Sequence, residues 1–255
     1  MLPFDEIGSG PVIVLLHAGI ADRSMWREHL APLADAGYRV LALDMPGFGE
    51  AAITEGPQAP WDNVTRTLEE LGIDRAALVG NSFGGAVAQR VALLAPERVS
   101  SLVLISAPSP AMADPSERLA AVWAAEEAAL ERDDLDSAVE AIVNGWTLPD
   151  APAALRERIA GMYRRALILQ NAAPKVTEAP DPLEEHPEQL EQITAPTLVA
   201  VGAHDMPDFL AAADVMAEAI PNARHELIAH AGHLAPLETP TAFRRLLLDF
   251  LAEHP

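Results

Sequence analysis

Six short apolar runs punctuate the chain: Val12–Leu16, Arg39–Leu43, Ala77–Val79, Leu102–Ile105, Thr197–Val201 and His225–Ile228. Most are continuously apolar rather than alternating, the pattern of strands buried on both faces of a parallel sheet. The sixth is more mixed and suits a sheet edge. Between the runs lie segments of helical character, Ser24–Ala36, Asp62–Leu71, Gly85–Leu94, Asp208–Ala219 and Thr241–Leu251. Strand alternating with helix predicts right-handed crossovers and an α/β fold, a three-layer sandwich around a mostly parallel sheet.

The rhythm breaks once. Between Pro108 and Pro196 no strand-like run occurs. Helical patterns cover Ser116–Glu131, Leu135–Asn144 and Ala153–Leu169, and a proline-rich acidic connector, Ala172–Pro187, leads back. The expected organisation is a core of residues 1–108 and 196–255, with a helical cap, 109–195, inserted before the last two strands. An insertion at that point stands above the carboxyl edge of the sheet, where ligands of open α/β sheets bind.

Composition narrows the setting. With 255 residues, half of them hydrophobic, the chain is long enough for one large domain with a sizeable core. It has no cysteine, which removes disulfides, thiol catalysis and thiolate metal sites. Acidic residues outnumber basic ones 38 to 17, and the formal charge of −21 repels nucleic acid and anionic membranes. No apolar run approaches the ~18 residues of a membrane span, and the first residues carry no secretory pattern. The expectation is a cytoplasmic protein, monomer or homodimer, whose partner is a small-molecule substrate.

The sharpest chemical signal is Leu78-Val79-Gly80-Asn81-Ser82-Phe83-Gly84-Gly85. It is a G-x-S-x-G pattern with an apolar strand before it and a helix after it. Glycines on both sides let the chain reverse sharply and present the Ser82 hydroxyl beside a helix N-terminus. A nucleophilic serine needs a base, and the base needs an orienting acid. His233 follows the last strand run in a loop that reaches the same edge, while the other histidines fall on helices, tails or strand ends. His17, at the end of Val12–Leu16, reads as a brace for a neighbouring loop. Asp205 lies just past Thr197–Val201; its competitor, Asp208, reads as a helix N-cap. The backbone N–H of Phe83 and that of Gly19, with Ile20 as the alternative, are the candidate oxyanion donors. His225 and His230 are spaced by five rather than four, so no zinc helix is expected, and neither a metal nor an organic cofactor is implied.

With Leu15-Leu16-His17-Ala18-Gly19, Asp44-Met45-Pro46-Gly47-Phe48-Gly49, the Gly80–Gly85 elbow, Val201–Asp205 and Gly232-His233-Leu234-Ala235-Pro236-Leu237-Glu238, the chain resembles the α/β-hydrolase superfamily. The order Ser82, Asp205, His233 is the order of that fold's triads. The chain departs from the family in two places. His17-Ala18 stands where the family has His-Gly, and Phe4–Ile7 leaves room only for a stub of the family's second strand, with the first missing.

The resemblance implies two-step acyl transfer: attack by Ser82, proton transfer through His233, and steadying of the imidazolium by Asp205. The expected substrate is a small carboxylic ester or lactone, with enol-lactone hydrolases as the nearest named group. Carbon–carbon hydrolysis of ring-fission products is the alternative, and a non-catalytic ligand receptor is another. Trp123, Trp146, Met162, Tyr163 and Leu167 of the cap, with Ile20, Met25 and Trp26, are the expected apolar lining, and Arg164-Arg165 offers one anionic contact.

Overall fold

The computed structural model describes residues 1–112 and 114–254, so one position of the expected cap and one of the expected core, 113 and 255, lie outside the described residues. In chain order the elements are β1 (Phe4–Gly8), β2 (Val12–Leu16), α1 (Arg27–Asp35), β3 (Arg39–Leu43), α2 (Pro60–Glu70), β4 (Ala76–Asn81), α3 (Phe83–Leu94) and β5 (Val99–Ile105). Then come α4 (Glu117–Leu130), α5 (Leu135–Trp146), α6 (Ala153–Asn171), α7 (Pro182–Glu185), β6 (Thr197–Gly202), α8 (Pro207–Ala219), β7 (Ala223–Ile228), α9 (Ala235–Glu238) and α10 (Pro240–Glu253).

The strands form one sheet in the order β1-β3-β2-β4-β5-β6-β7. Only β1 is antiparallel; the remaining neighbours are parallel. The continuous apolar runs are the reason. β2 to β6 are buried almost throughout because helices cover both faces, whereas the mixed run of β7 is half-buried at its edge. α1 covers β1 and β3, α3 covers β2, β4 and β5, and α8 covers β6 and β7. Trp26, His29 and Phe243 interlock their rings and clamp α10 against α1.

Register brings the carboxyl ends together. Leu16 of β2 pairs with Gly80 of β4, Gly80 with Leu104 of β5, and Leu104 with Val199 of β6. The loops that leave these strands therefore start side by side. Four differences from the sequence reading have local causes. β5 begins three residues before the apolar run, because Ser101 is buried in a strand whose periodicity it interrupts. α3 begins at Phe83 rather than Gly85, directly after Ser82. Asp208 is the second residue of α8, and its carboxylate accepts the Ser116 N–H and hydroxyl at the head of α4 (2.7 and 2.6 Å) rather than capping its own helix. The proline-rich connector holds a helical turn, α7. Asp181 caps α7 and also pairs with Arg90 of α3 at 2.9 Å.

Several glycines are required by space rather than by conformation. A Cβ on Gly84 would lie 2.3 Å from the Leu16 carbonyl oxygen and 2.8 Å from that of His17. A Cβ on Gly161, inside α6, meets nothing nearer than 3.7 Å. We expect Gly84→Ala to cost about 1–3 kcal/mol by forced backbone displacement, and Gly161→Ala to add about 1 kcal/mol of helix stability. Urea denaturation midpoints check both; equal midpoints for the two variants would contradict the packing described.

Candidate active site

Ser82 stands between β4 and α3 with φ 53° and ψ −115°, a backbone region that non-glycine residues rarely occupy. The strain is held by the surroundings. The Ser82 N–H bonds the Ile105 carbonyl at 2.8 Å, and the Gly84 N–H bonds the His17 carbonyl at 3.0 Å. A Cβ on Gly80 would overlap the Gly84 carbonyl at 2.3 Å, so only glycine permits the reversal. Phe83 opens α3, and its amide is among those a helix start leaves without an internal partner.

Beyond β2, the Ala21 N–H closes a turn onto the Ala18 carbonyl at 3.0 Å, leaving the amides of Gly19 and Ile20 outside that bond. A Cβ on Gly19 would meet the Phe83 Cβ at 3.4 Å, so the two amide-bearing segments are neighbours. His17 braces this loop. Its Nδ1–H donates to the Ala18 carbonyl at 2.8 Å, and its Nε2 accepts the Met45 N–H at 2.9 Å. Burial drives the imidazole below its ordinary value, as a ring with one donor and one acceptor contact requires.

His233 and Asp205 meet at the far side. His233 Nδ1 lies 3.1 Å from each carboxylate oxygen of Asp205, and Asp205 Oδ1 also accepts the Met206 N–H at 2.7 Å. Both side chains are buried. The ring sits between Trp146 and Phe209, each with its centroid 4.3 Å away. An imidazole facing a carboxylate through Nδ1 carries its proton there, leaving Nε2 as an acceptor. Asn81 ties this loop to the elbow, donating from Nδ2 to the His233 carbonyl (3.1 Å) and to that of Ile105 (3.0 Å).

Ser82 and His233 line one cavity of about 190 Å³ together with Ala18, Gly19, Ile20, Trp123, Ile142, Trp146 and Tyr163. The expected lining residues divide. Trp123, Trp146, Tyr163 and Ile20 face the cavity. Met25 and Trp26 do not; they are wholly buried, Trp26 against His29 and Phe243, because the turn before α1 points them into the core. Met162 is buried with its sulfur on the Ser24 hydroxyl, and Leu167 lines an adjoining outer cleft. Arg164 and Arg165 are paired with Asp136 and Asp22 and stay out of the cavity. Glu126 lines it instead, a residue the sequence reading passed over although it follows Trp123 by one helical turn on α4. Among the described residues no group of three or more histidine and carboxylate side chains gathers as a metal site would, and no helix is long and apolar enough to cross a membrane.

Similarity to known proteins follows the same lines. The chain is 31% identical to a 2-hydroxy-6-oxononadienedioate/2-hydroxy-6-oxononatrienedioate hydrolase of Paraburkholderia phymatum, over 98% of this chain and 90% of that one. A thermophilic esterase of Thermogutta terrifontis superposes with a TM-score of 0.79 at 26% identity, over 100% and 94% of the two chains. The enol-lactonase of Burkholderia xenovorans LB400 shares the fold at a TM-score of 0.81 and 23% identity, over 98% and 96%. A family model described as the alpha/beta hydrolase fold matches residues 11–240. Sheet, elbow and matched span together make the chain a member of the alpha/beta hydrolase family of enzymes.

Proposed function

We propose that the chain is a serine hydrolase that cleaves the bond beside a carbonyl through an acyl-enzyme on Ser82. The observation that carries this is one cavity holding a strained Ser82 together with a His233 whose far nitrogen faces Asp205. Ser82 Oγ adds to the carbonyl carbon while its proton passes to His233 Nε2. The amides of Phe83 and Gly19 hold the oxyanion. Collapse expels the leaving group, which takes the proton from His233. Water then adds to the acyl group, giving up a proton to His233, and the second collapse releases a carboxylic acid and restores Ser82. Asp205 orients the imidazolium throughout and stays ionised.

For the bond, the relative in Paraburkholderia supports carbon–carbon hydrolysis of a ring-fission product ahead of the ester or lactone hydrolysis expected from the sequence. Ester or lactone hydrolysis stands second. Supporting it are the absence, among the described residues, of any lysine or arginine from the cavity lining and the presence of Glu126, since a dioate brings two carboxylates that need partners. Residues 109–195 act as the cap that makes this choice, because α4, α5 and α6 supply Trp123, Glu126, Ile142, Trp146 and Tyr163 to the cavity.

Glu238 is the positioning residue of the base. Its carboxylate accepts the Gly232 N–H at 2.7 Å on one oxygen and the Leu148 N–H at 3.4 Å on the other, linking the His233 loop to the segment after α5. Burial raises its pKa above the ordinary glutamate value, against the two amide hydrogen bonds that lower it. A raised value means that folded Glu238 holds its proton more tightly than the unfolded chain does. Its contribution to stability is therefore present below the ordinary glutamate pKa and is lost as pH rises through the raised one.

A fluorophosphonate probe should label Ser82 in the wild type. Ser82→Ala and His233→Ala should each lower turnover at least about a thousandfold. Hydrolysis of a 2-hydroxy-6-oxo-dienoate and of p-nitrophenyl esters, compared by kcat/KM, assigns the bond. Full activity in Ser82→Ala would overturn the mechanism. For Glu238, thermal melts from about pH 4 to about pH 7 should show wild type losing stability relative to Glu238→Gln as pH rises. Glu238→Ala, which frees the Gly232 amide, should lower kcat about tenfold with little change in KM; a change confined to KM would place Glu238 in substrate binding instead.

A further inference from the structure

One carboxylate faces the cavity and takes no part in the proposed chemistry. Glu126 on α4 lines the space that holds Ser82 and His233, and its Oε1 accepts a hydrogen bond from the Tyr163 hydroxyl on α6. Tyr163 is buried, and burial together with the Glu126 carboxylate raises its pKa far above the usual tyrosine value. The hydroxyl is thus a fixed donor that occupies one face of the carboxylate and leaves the rest open.

Among the described residues no lysine or arginine lines the cavity beside that charge. α6 carries four arginines. Arg156 bonds Thr147 and Asn144, Arg158 pairs with Glu28, Arg164 with Asp136 and Arg165 with Asp22. None lines the cavity. Trp123 stands beside Glu126 with its side chain about half exposed (47%), and Trp123, Glu126 and Tyr163 are shared walls of the cavity and of the open cleft outside it. Any substrate that enters from that cleft passes a carboxylate flanked by two aromatic rings.

We propose that Glu126, Trp123 and Tyr163 form a specificity site for a substrate carrying a cationic, ammonium-type group, and that the same site turns away substrates with a carboxylate at that end. A compact cation gains from a carboxylate acceptor in partly desolvated surroundings and from the face of an indole. A carboxylate there meets like charge with no counter-ion. The site deepens the serine-hydrolase reading and rests on it, since Ser82 is the reference point for the substrate's position. It is compatible with carbon–carbon hydrolysis of a ring-fission product whose end beside Glu126 carries no carboxylate.

The test reads Ser82 directly, so it does not depend on which bond is cleaved. The second-order rate of Ser82 phosphonylation is measured with alkyl fluorophosphonates whose arms end in methyl, trimethylammonium or carboxylate groups. In the wild type the ammonium arm should react at least about tenfold faster than the carboxylate arm. In Glu126→Gln, which keeps the side-chain shape and an acceptor for Tyr163, the ratio should fall to within about threefold. Equal rates for the three arms in the wild type would overturn the specificity site while leaving the nucleophile standing. A preference that persists undiminished in Glu126→Gln would assign it to the net charge of the whole molecule and overturn the role of Glu126. Failure of all three probes to label Ser82 would instead refute the serine-hydrolase reading.

Discussion

The arrangement at the sheet edge depends on how closely the backbone loops approach one another. A Cβ on Gly84 would overlap the end of β2, and one on Gly202 would lie 2.1 Å from the Gly232 carbonyl oxygen. The first contact sets the elbow against the Gly19 loop; the second sets the Asp205 loop against the His233 loop. Asn81 closes the circuit by donating to the His233 carbonyl from the residue before Ser82. Four loops, from strands β2, β4, β6 and β7, are thereby held largely through main-chain atoms, which leaves the side chains of Ser82, Asp205 and His233 free for chemistry. Rigid support of this kind lets a residue such as Ser82 remain in an unfavourable conformation, since relaxing it would break several contacts at once.

Two histidines at this edge show how surroundings separate a ring committed to bracing from one set between a carboxylate and a cavity. His17 and His233 are both buried and both lie beyond strand ends. His17 has main-chain groups on both nitrogens, so its single proton and single lone pair are committed to holding the loop. His233 has a carboxylate on Nδ1 and the Ser82 cavity beside it. The Trp146 and Phe209 rings restrict its rotation without offering a competing hydrogen bond. A ring so placed can accept a proton and be stabilised as a cation, which a ring braced by one carbonyl and one amide cannot.

Much of this was legible in the sequence because sheet and elbow obey strong local rules. The runs Val12–Leu16 and Arg39–Leu43 are strands over those same residues, since a doubly covered parallel strand admits little but apolar side chains. The glycines around Ser82 are readable for the same reason: no other residue fits. The lining of the cavity was harder. Met25, Trp26 and Met162 look like pocket residues by composition, yet they turn into the core, and a hydrophobic side chain carries no mark of whether it faces protein or ligand. Asp208 looked like a cap by its place at a helix start, but its partner, Ser116, lies 92 positions away in the chain. Glu238 likewise showed only as part of a motif, its link to Leu148 being visible only in the folded molecule.

Glu126 is the most instructive of these. One helical turn beyond Trp123, it belongs to the same face of α4, and reading that face as a whole brings it into the cavity together with the tryptophan. On the proposed mechanism the sheet machinery is indifferent to the bond cleaved, since ester, lactone and activated carbon–carbon bonds would all pass through a tetrahedral oxyanion at the same amides. On the proposed reading discrimination falls to the insertion, where Glu126 adds a charge criterion to the apolar contacts. A like charge in a partly desolvated cavity disfavours a substrate through an uncompensated desolvation cost, a penalty that apolar contacts do not carry. The polarity of the cavity is therefore a guide to substrate choice that an overall identity of 31% does not replace.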